Sequence, residues 1–238
     1  MAIAVVTGTS TGIGLATALT LARAGHTVYV TMRNPKTGSE ELRATAEREH
    51  LPLHIAALDV DSDQSVCNAF AKILAEAGRI DVLVNNAGIS GIGPVEENPI
   101  AAFRATMETN YFGALRCIQA VLPGMRETVR LHCQHHIDGW QAFRGAAQAA
   151  YSSSKFALEA ASESLAQEVK AFGVRVAIVE PGVIATPIFG KVQPPPADSN
   201  YLHGRRIYEL FRTSLENAVS PYVVGKRSAR SLRVAPGN

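Results

Sequence analysis

Short apolar runs rich in β-branched residues alternate along this chain with longer stretches in which apolar positions recur at helical spacing. The runs predict strands buried on both faces, and the spacing predicts helices. Strands of this kind, separated by amphipathic helices, form a parallel sheet covered on both faces, so the pattern predicts an α/β fold. The predicted strands cover residues 3–8, 26–32, 53–60, 81–88 and 174–182, and the predicted helices cover the stretch that ends at Gly25 and residues 39–49, 63–77, 100–121 and 152–171.

The last fifth of the chain departs from this alternation. Residues 186–200, with three prolines at 194–196, are too proline-rich for a helix or a central strand and predict a loop. We expect a substrate loop or lid near 186–216, including a short helix in YLHGRRIYELF, and an irregular basic tail after Val224. No internal repeat or linker divides residues 1–238, so the sequence predicts a single domain.

Composition narrows the possible partners of the chain. A hydrophobic content of 47% is ample for a core, and a formal net charge of +2 gives no reason to expect nucleic acid or a membrane surface as partner. No apolar run approaches the ~20 residues that span a bilayer, and MAIAVVTG predicts a first strand and not a signal peptide. Three scattered cysteines, Cys67, Cys117 and Cys133, predict no disulfide framework and favour the cytoplasm.

A glycine-rich turn, TGTSTGIG, follows the first predicted strand and opens the first predicted helix. Gly8, Gly12 and Gly14 would let backbone amides approach a diphosphate at the helix N-terminus, with Thr9 and Ile13 beside it. The spacing is G-x-x-x-G-x-G and not the usual G-x-G-x-x-G, so an ordinary glycine-rich turn is the alternative. Because strand, turn and helix come in the required order, we expect a dinucleotide site.

Arg33 stands at the end of the second predicted strand, where a dinucleotide site distinguishes its two cofactors. An acidic residue there would bind a ribose 2′-hydroxyl, whereas an arginine nearby suits a 2′-phosphate. No Asp or Glu stands at this point, so NADP(H) is favoured over NAD(H). A solvated arginine at a strand end is the alternative.

Polar and small residues also close the third and fourth predicted strands. Asp59 and Val60 close the third, where a carboxylate could accept a hydrogen bond from the adenine amino group. Asn86, Ala87 and Gly88 close the fourth, where a side-chain amide can brace the backbone and small residues leave room for a ribose. Ordinary turns would account for both segments equally well.

Tyr151 and Lys155 stand four residues apart in YSSSK, inside a predicted helix. Residues i and i+4 share one helix face, so the ammonium can sit beside the phenol oxygen. A free tyrosine titrates near pH ~10, and a neighbouring cation lowers this pKa towards the range in which general acid–base catalysis is efficient. Taken alone the pair is a weak signal, because a solvated helix face explains most such pairs.

Together these motifs resemble the short-chain dehydrogenase/reductase family. The resemblance covers roughly residues 1–190, and the motifs come in the family's order and spacing. They are TG-x-x-x-GIG at 7–14, LDV at 58–60, NNAG at 85–88, Asn110 in METNYFGALR, YSSSK at 151–155 and PG at 181–182.

The resemblance implies a single Rossmann-like doubly wound parallel sheet, a nicotinamide cofactor and no metal. It implies that Tyr151 exchanges a proton with the substrate oxygen and that Lys155 lowers the tyrosine pKa and binds the nicotinamide ribose. Asn110 would hold a water that relays protons. The implied cofactor-binding residues after the sixth strand are Pro181, Gly182, Val183 and Thr186, of which the last two would hold the carboxamide.

Two tracts, VYVTMRNP and YLHGRRIYELF, look like the hydroxysteroid and retinol dehydrogenase branch of this family. That likeness suggests a lipophilic alcohol or ketone as substrate, by analogy only. The alanine-rich helices at 100–121 and 152–171 could pack against a second copy, so a homodimer or homotetramer is expected.

The chain departs from the family at Asp138, which stands thirteen residues before Tyr151, where a serine is usual. Residues 129–150 contain no Ser or Thr, and the expected strand reads VRLHCQHHI, which is polar for a central position. An ionised aspartate only accepts hydrogen bonds, and its charge would raise the pKa of Tyr151.

Three explanations of this segment remain open. Codons for RLHCQHHI can be chosen so that the same DNA, translated one base out of frame, gives G-S-I-V-N-I-T-S. We therefore hypothesise compensating frame errors across about 128–138. An uninterrupted DNA trace that encodes His132 and His135 would refute this hypothesis. His132, Cys133, His135 and His136 could instead bind a metal, although alternate strand positions diverge. Finally, the strand could be too damaged to fold well.

The sequence therefore predicts an NADP(H)-preferring oxidoreductase that interconverts a secondary alcohol and a ketone, with Tyr151 as proton donor or acceptor. The alternative is a protein that binds the dinucleotide but is catalytically impaired, and that acts as a sensor or interaction module. Asp138 is the residue that keeps this alternative open.

Overall fold

The computed structural model describes residues 1–128, 131–136, 147–181, 184–188, 199–201, 206, 208–209, 213 and 218–231. Of residues 128, 131–136 and 231 it describes the backbone. Asp138, Gly182, Val183 and most of the expected substrate loop near 186–216, with its short helix, lie outside these residues.

A six-stranded sheet, in which every neighbouring pair of strands is parallel, forms the centre of the fold. Its order is β3-β2-β1-β4-β5-β6, so the chain reverses direction across the sheet between β1 and β4. This confirms the predicted doubly wound arrangement, and it opens a crevice at the carboxyl ends of those two strands. The strands are β1 Ile3–Val6, β2 Thr27–Met32, β3 Leu53–Ala57, β4 Val82–Asn85, β5 Leu131–His136 and β6 Val174–Val179.

Helices connect the strands and lie against both faces of the sheet. A π-helical segment, Glu108–Phe112, joins the fifth helix to the sixth, and a 3₁₀ turn, Lys170–Phe172, follows the seventh. The helices are α1 Gly12–Arg23, α2 Pro35–Gly38, α3 Glu40–Glu49, α4 Asp63–Ala77, α5 Ile100–Met107, α6 Gly113–Thr128, α7 Ala149–Glu168 and α8 Pro221–Ser231.

The two faces of the sheet bury separate apolar clusters. Neighbouring residues of β1 point to opposite sides, so that Val5 joins one cluster and Val6 the other. The first cluster is closed by α4, α6 and the end of α7, and the second by α1, α3 and α8. Full burial of an aliphatic side chain such as Leu19 contributes about 1.5–3 kcal/mol, so the covered sheet is the main source of the fold's stability.

The helix predicted over 100–121 is interrupted. α5 ends at Met107, five residues follow in π-helical geometry, and α6 then runs to Thr128. A π turn contains an extra residue, and such turns occur preferentially at functional sites. Asn110 lies inside this segment.

The prediction of an irregular tail after Val224 is wrong for residues 225–231, which belong to α8. Gly225 lets this helix approach α1 closely, since a Cβ at this position would lie 2.8 Å from Thr20 Oγ1 and 2.9 Å from the carbonyl oxygen of Ala16. The guanidinium of Arg23 also lies over the Tyr222 ring, 5.8 Å from its centroid. The basic residues of this segment therefore occupy the outer surface of a packed helix.

The polar segment expected to form a fifth strand does form one. β5 pairs with β4 from His132 to His135 and with β6 along its whole length. This pairing counts against the explanation in which strand five is too damaged to fold.

Candidate functional site

A crevice of about 260 Å³ lies at the carboxyl ends of β1, β2 and β4, where the strand order reverses. It brings together eleven residues that the sequence predicts as cofactor-binding. These are Gly8, Gly12, Ile13, Arg33, Asp59, Val60, Asn86, Ala87, Gly88, Lys155 and Thr186.

The glycine turn shapes the floor of the crevice. Gly8 has φ +68°, and a Cβ there would lie 2.7 Å from the Cα of Ala87. Gly12 has φ +62°, and a Cβ there would lie 3.3 Å from the Cβ of Thr186. Both positions therefore need glycine for conformation and for the space between the turn and the segments that face it.

The N-terminus of α1 points into this floor without a compensating charge. In the described chain no side chain caps the helix at Thr11, and its first turn holds no acidic residue. Free backbone N–H groups and the positive end of the helix dipole therefore face the crevice. An anion such as a diphosphate fits this arrangement.

Asn86 braces the turn from the end of β4. Its Nδ2 donates to the carbonyl oxygens of Thr7, at 2.8 Å, and Gly8, at 3.0 Å. In return, Thr7 Oγ1 accepts hydrogen bonds from the backbone N–H groups of Asn86 and Ala87, each at 3.0 Å. The predicted bracing role of an amide side chain at this position is visible in these contacts.

Thr9 and Gly14 lie beside the crevice without lining it. Thr9 is completely buried, and its hydroxyl donates to the carbonyl oxygen of Thr31 at 3.1 Å. Gly14 permits contact with the Asn86 amide and the Gly8 carbonyl. Ser10 and Thr11 of the same turn also line the crevice, although the sequence pattern does not indicate them as site residues.

Arg33 lines the crevice where β2 ends. Within the described residues no carboxylate forms an ion pair with it. The short helix α2 follows at once, and the Asn34 side chain caps it by accepting from Lys36 N at 3.1 Å. A Cβ at Gly38 would lie 3.2 Å from the Cβ of Ser10, so α2 packs against the glycine turn beside the arginine.

Asp59 lies in the crevice, but its groups also hold the loop that follows β3. Its Oδ1 accepts from the backbone N–H of Asp61 at 3.2 Å, and its own N–H donates to Ser65 Oγ at 2.9 Å. Ser62 caps α4 in turn, because its side chain accepts from Ser65 N. The loop from Asp59 to Ser62 is therefore a folded turn anchored to the first turn of α4.

Tyr151 and Lys155 face one another on α7. Both are buried, with 4% and 8% of their surfaces exposed, and the Lys155 Nζ lies 5.5 Å from the centre of the tyrosine ring. Lys155 also lines the crevice. The i,i+4 spacing thus brings the ammonium to the tyrosine ring, while Tyr151 itself does not line the crevice.

Asn110 connects three parts of the site. Its Oδ1 accepts from Ile89 N at 2.8 Å, while its Nδ2 donates to the Ile89 carbonyl and to Ser154 Oγ, both at 3.0 Å. Ser154 Oγ then donates to the carbonyl oxygen of Tyr151 at 2.7 Å. Both amide protons of Asn110 are thus used by protein acceptors, and its side chain fixes the loop after β4 against α7.

The structure describes some of the remaining predicted residues but not all of them. Pro181 is buried just after β6, and Thr186 lies against Gly12 of the glycine turn. Gly182, Val183 and Asp138 lie outside the described residues, as do the side chains of His132, Cys133, His135 and His136. Among the described residues no group of three His, Cys, Asp or Glu side chains converges as metal ligands would.

Comparison with protein families finds one match that covers most of the chain. Residues 2–197 fit the family model described as short chain dehydrogenase. None of the described helices is long and apolar enough to cross a membrane.

Two curated proteins and one solved structure illustrate the similarity. Retinol dehydrogenase 8 of Homo sapiens is 39% identical over 193 residues, which are 79% of this chain and 60% of that protein. Estradiol 17-beta-dehydrogenase 1 of Rattus norvegicus is 34% identical over 231 residues, 92% of this chain and 65% of that protein. The chain thus spans less than two thirds of the length of each of these two relatives.

The solved structure is a variant of an actinorhodin polyketide ketoreductase with NADPH, which superposes with a TM-score of 0.86. It is 26% identical, and the superposition covers 98% of this chain and 90% of that one.

Proposed function

We propose that this chain, which belongs to the short-chain dehydrogenase family, interconverts a secondary alcohol and a ketone with NADP(H). The observation that carries the proposal is the buried pair of Tyr151 and Lys155, with 5.5 Å between the ammonium nitrogen and the ring centre, beside a glycine-lined crevice. Such a pair would supply a proton-transfer group close to a crevice that could hold a dinucleotide.

The residues present fit a dinucleotide. Gly8 and Gly12 leave the space that side chains would fill, and the uncapped N-terminus of α1 offers N–H groups to a diphosphate. Asp59 and Val60 would hold the adenine end, while Ala87, Gly88 and the residues from Pro181 to Thr186 would hold the ribose and carboxamide end. A nicotinamide dinucleotide bound there would supply or accept the hydride.

The preference for NADP(H) is supported by Arg33. Arg33 and Ser10 both border the crevice, and the arginine has no carboxylate partner among the described residues. A guanidinium matches a phosphate geometrically and electrostatically. An acidic residue that would bind a 2′-hydroxyl and repel a 2′-phosphate is missing from the end of this strand in the sequence.

Proton transfer is the task that we assign to Tyr151. In the reductive direction its phenol O–H gives a proton to the substrate oxygen, and in the oxidative direction the phenolate receives one. The Lys155 ammonium stabilises the phenolate, because both groups are buried and their interaction is weakly screened. Lys155 would also donate a hydrogen bond to the ribose of the cofactor, since it borders the crevice.

Asn110 has a supporting part in this proposal. Its two amide protons already bond to Ile89 and Ser154, so a proton-relay water would bind to a free lone pair or to a main-chain carbonyl of the π-helical segment. The contact with Ser154 also fixes the backbone of Tyr151.

A lipophilic substrate is supported by the relatives, since retinol and estradiol are the compounds named in two of them. Asp138 stands where a hydroxyl donor to the substrate oxygen is usual in the family. We propose that the tyrosine hydroxyl then carries most of the polarisation of the carbonyl, so turnover would be slow for unactivated ketones.

NADPH oxidation across a panel of aliphatic, cyclic and steroid-like ketones tests the proposed function, with NADPH binding measured separately by fluorescence. We expect binding and turnover by the wild-type chain. Binding without turnover across the whole panel, unrescued by Asp138→Ser, would instead favour a nucleotide sensor.

A further inference from the structure

Arg116, in the first turn of α6, lies at the centre of a polar network that the proposed chemistry does not use. Its side chain is only 23% exposed. It does not border the crevice, yet it contacts two segments that do: the loop after β3 and the π-helical segment that contains Asn110.

Each nitrogen of the guanidinium has its own acceptor. Nε donates to Asp63 Oδ1, at the start of α4, and one terminal nitrogen donates to the Val60 carbonyl at 3.3 Å. The other terminal nitrogen pairs with Glu108 Oε1. One planar group therefore connects the loop after β3, the first turn of α4 and the π-helical segment.

Two further contacts join the same segments. Thr109 Oγ1 donates to Asp61 Oδ2 at 3.0 Å, and both residues border the crevice. Gly113 allows the Val60 side chain to touch the start of α6, because a Cβ on this glycine would lie 2.8 Å from Val60 Cγ2. The loop that would hold adenine is thus attached to the segment that holds Asn110.

We propose that Arg116 is a positioning residue that fixes the adenine side of the crevice relative to the Asn110 segment. This inference rests on the proposed function, because it assumes that a dinucleotide occupies the crevice. Binding of the adenine end then rigidifies the segment whose Asn110 side chain holds the loop after β4 and, through Ser154, the backbone of Tyr151.

An arginine suits this task better than a lysine. The guanidinium is planar and donates in several fixed directions at once, whereas an ammonium is a compact charge on a flexible stem. Lysine at this position would retain the charge but could not hold Asp63, Glu108 and the Val60 carbonyl in their present geometry.

Arg116→Ala, Arg116→Lys and a control, Arg104→Ala, test the inference. Arg104 is an exposed residue in the last turn of α5 and makes no ion pair within the described residues. Three quantities are measured for each variant: the Kd for NADPH, kcat at saturating NADPH, and hydrogen exchange of the amides of residues 108–112. Thermal unfolding is recorded alongside.

We expect Arg116→Ala to raise the Kd for NADPH and to lower kcat, each by between about threefold and about thirtyfold. Exchange at residues 108–112 should accelerate, and the bound cofactor should slow it less than in the wild type. Arg116→Lys should recover part of each change, and Arg104→Ala should match the wild type.

A lower unfolding temperature with unchanged Kd, kcat and amide exchange would show a purely structural role and overturn the inference. If Arg116→Ala does not fold, Glu108→Gln removes one of the three contacts with little change in shape, and smaller shifts of the same sign are expected; wild-type values would overturn the inference. A wild-type chain that binds neither NADPH nor NADH would overturn the proposed function itself. Normal turnover by the wild type, with the same Kd, kcat and amide exchange in Arg116→Ala, would overturn only the inference.

Discussion

The ammonium of Lys155 lies 5.5 Å from the centre of the Tyr151 ring, one helical turn away on α7, with both side chains buried. The i,i+4 spacing brings the two residues to the same face of the helix, and burial limits the screening of the charge by water. This proximity of a buried cation to a buried phenol is the geometry on which the proposed proton transfer depends.

Tyr151→Phe should abolish most turnover and leave cofactor binding intact. The substitution removes only the hydroxyl, and general acid–base catalysis contributes about a hundredfold or more. NADPH oxidation with the best ketone of the panel gives kcat, and fluorescence titration gives the Kd. A phenylalanine variant with the wild-type rate would show that another group transfers the proton.

Arg33→Ala should weaken NADPH binding while NADH binding stays the same. Loss of a hydrogen bond to a charged group costs about 1.5–3 kcal/mol, which corresponds to a rise in the NADPH Kd of about tenfold to about a hundredfold. Parallel titrations with both dinucleotides measure the change, and Arg104→Ala is again the control. An equal loss for both cofactors would place the arginine somewhere other than beside the 2′-phosphate.

Gly8→Ala should cost more stability than Gly78→Ala and should also impair cofactor binding. The two glycines have φ of +68° and +77°, so both alanines suffer a similar conformational cost of about 1–2 kcal/mol. A Cβ at Gly78 meets nothing within 4 Å, whereas one at Gly8 would meet Ala87. Denaturant unfolding of both variants isolates the steric contribution, and equal losses would contradict the close approach of the glycine turn to the end of β4.

Cys67 should react with iodoacetamide at pH 8, whereas Cys117 should not. Cys67 is exposed, while Cys117 is completely buried, and burial raises the pKa of its thiol to about 12. The thiolate is the reactive form, so Cys117 stays protonated and inaccessible until the chain unfolds. Peptide mass spectrometry with and without denaturant distinguishes the two sites. Modification of Cys117 in the native state would mean that the core around α6 opens readily.

Phe156→Glu should shift a homodimer or homotetramer towards smaller species. Phe112, the last residue of the π-helical segment, and Phe156, on α7, have 44% and 41% of their surfaces exposed and lie in the two stretches expected to contact a second copy. Phe172 is exposed to a similar extent but lies in the 3₁₀ turn, outside the two helices expected to pack against a second copy, so Phe172→Glu is a matched control. Light scattering after size exclusion measures the mass, and a monomeric wild type would refute the expected assembly.

Sequence pattern was sufficient for most of the sheet and for the glycine turn. Buried apolar runs such as Val82–Asn85 fix where strands lie, and the fixed order of strand, turn and helix places Gly8 and Gly12 at the reversal of strand order. The pairing of Tyr151 with Lys155 follows from the pitch of one helix. These features depend on local periodicity, which the sequence displays directly.

Other features depend on geometry that periodicity does not display. A single extra residue in the π turn at Asn110 leaves the apolar pattern of α5 and α6 almost unchanged. The Thr9 hydroxyl donates to the Thr31 carbonyl of β2 and the residue does not line the crevice, which the motif alone does not indicate. In α8 the buried residues Val224 and Ala229 are separated by charged residues and Gly225. The hydrophobic pattern therefore predicts a tail, although the segment forms a packed helix.

The contact between α8 and α1 joins two segments that stand far apart in the chain. α1 directs its first turn at the crevice, and α8 rests directly on its backbone at Ala16 through the gap that Gly225 leaves. A nonsense codon or a shifted frame between residues 189 and 221 would leave every predicted catalytic side chain in place, yet it would remove the helix that supports α1, whose N-terminus we propose as the diphosphate site. Proteins truncated there should therefore bind the dinucleotide more weakly.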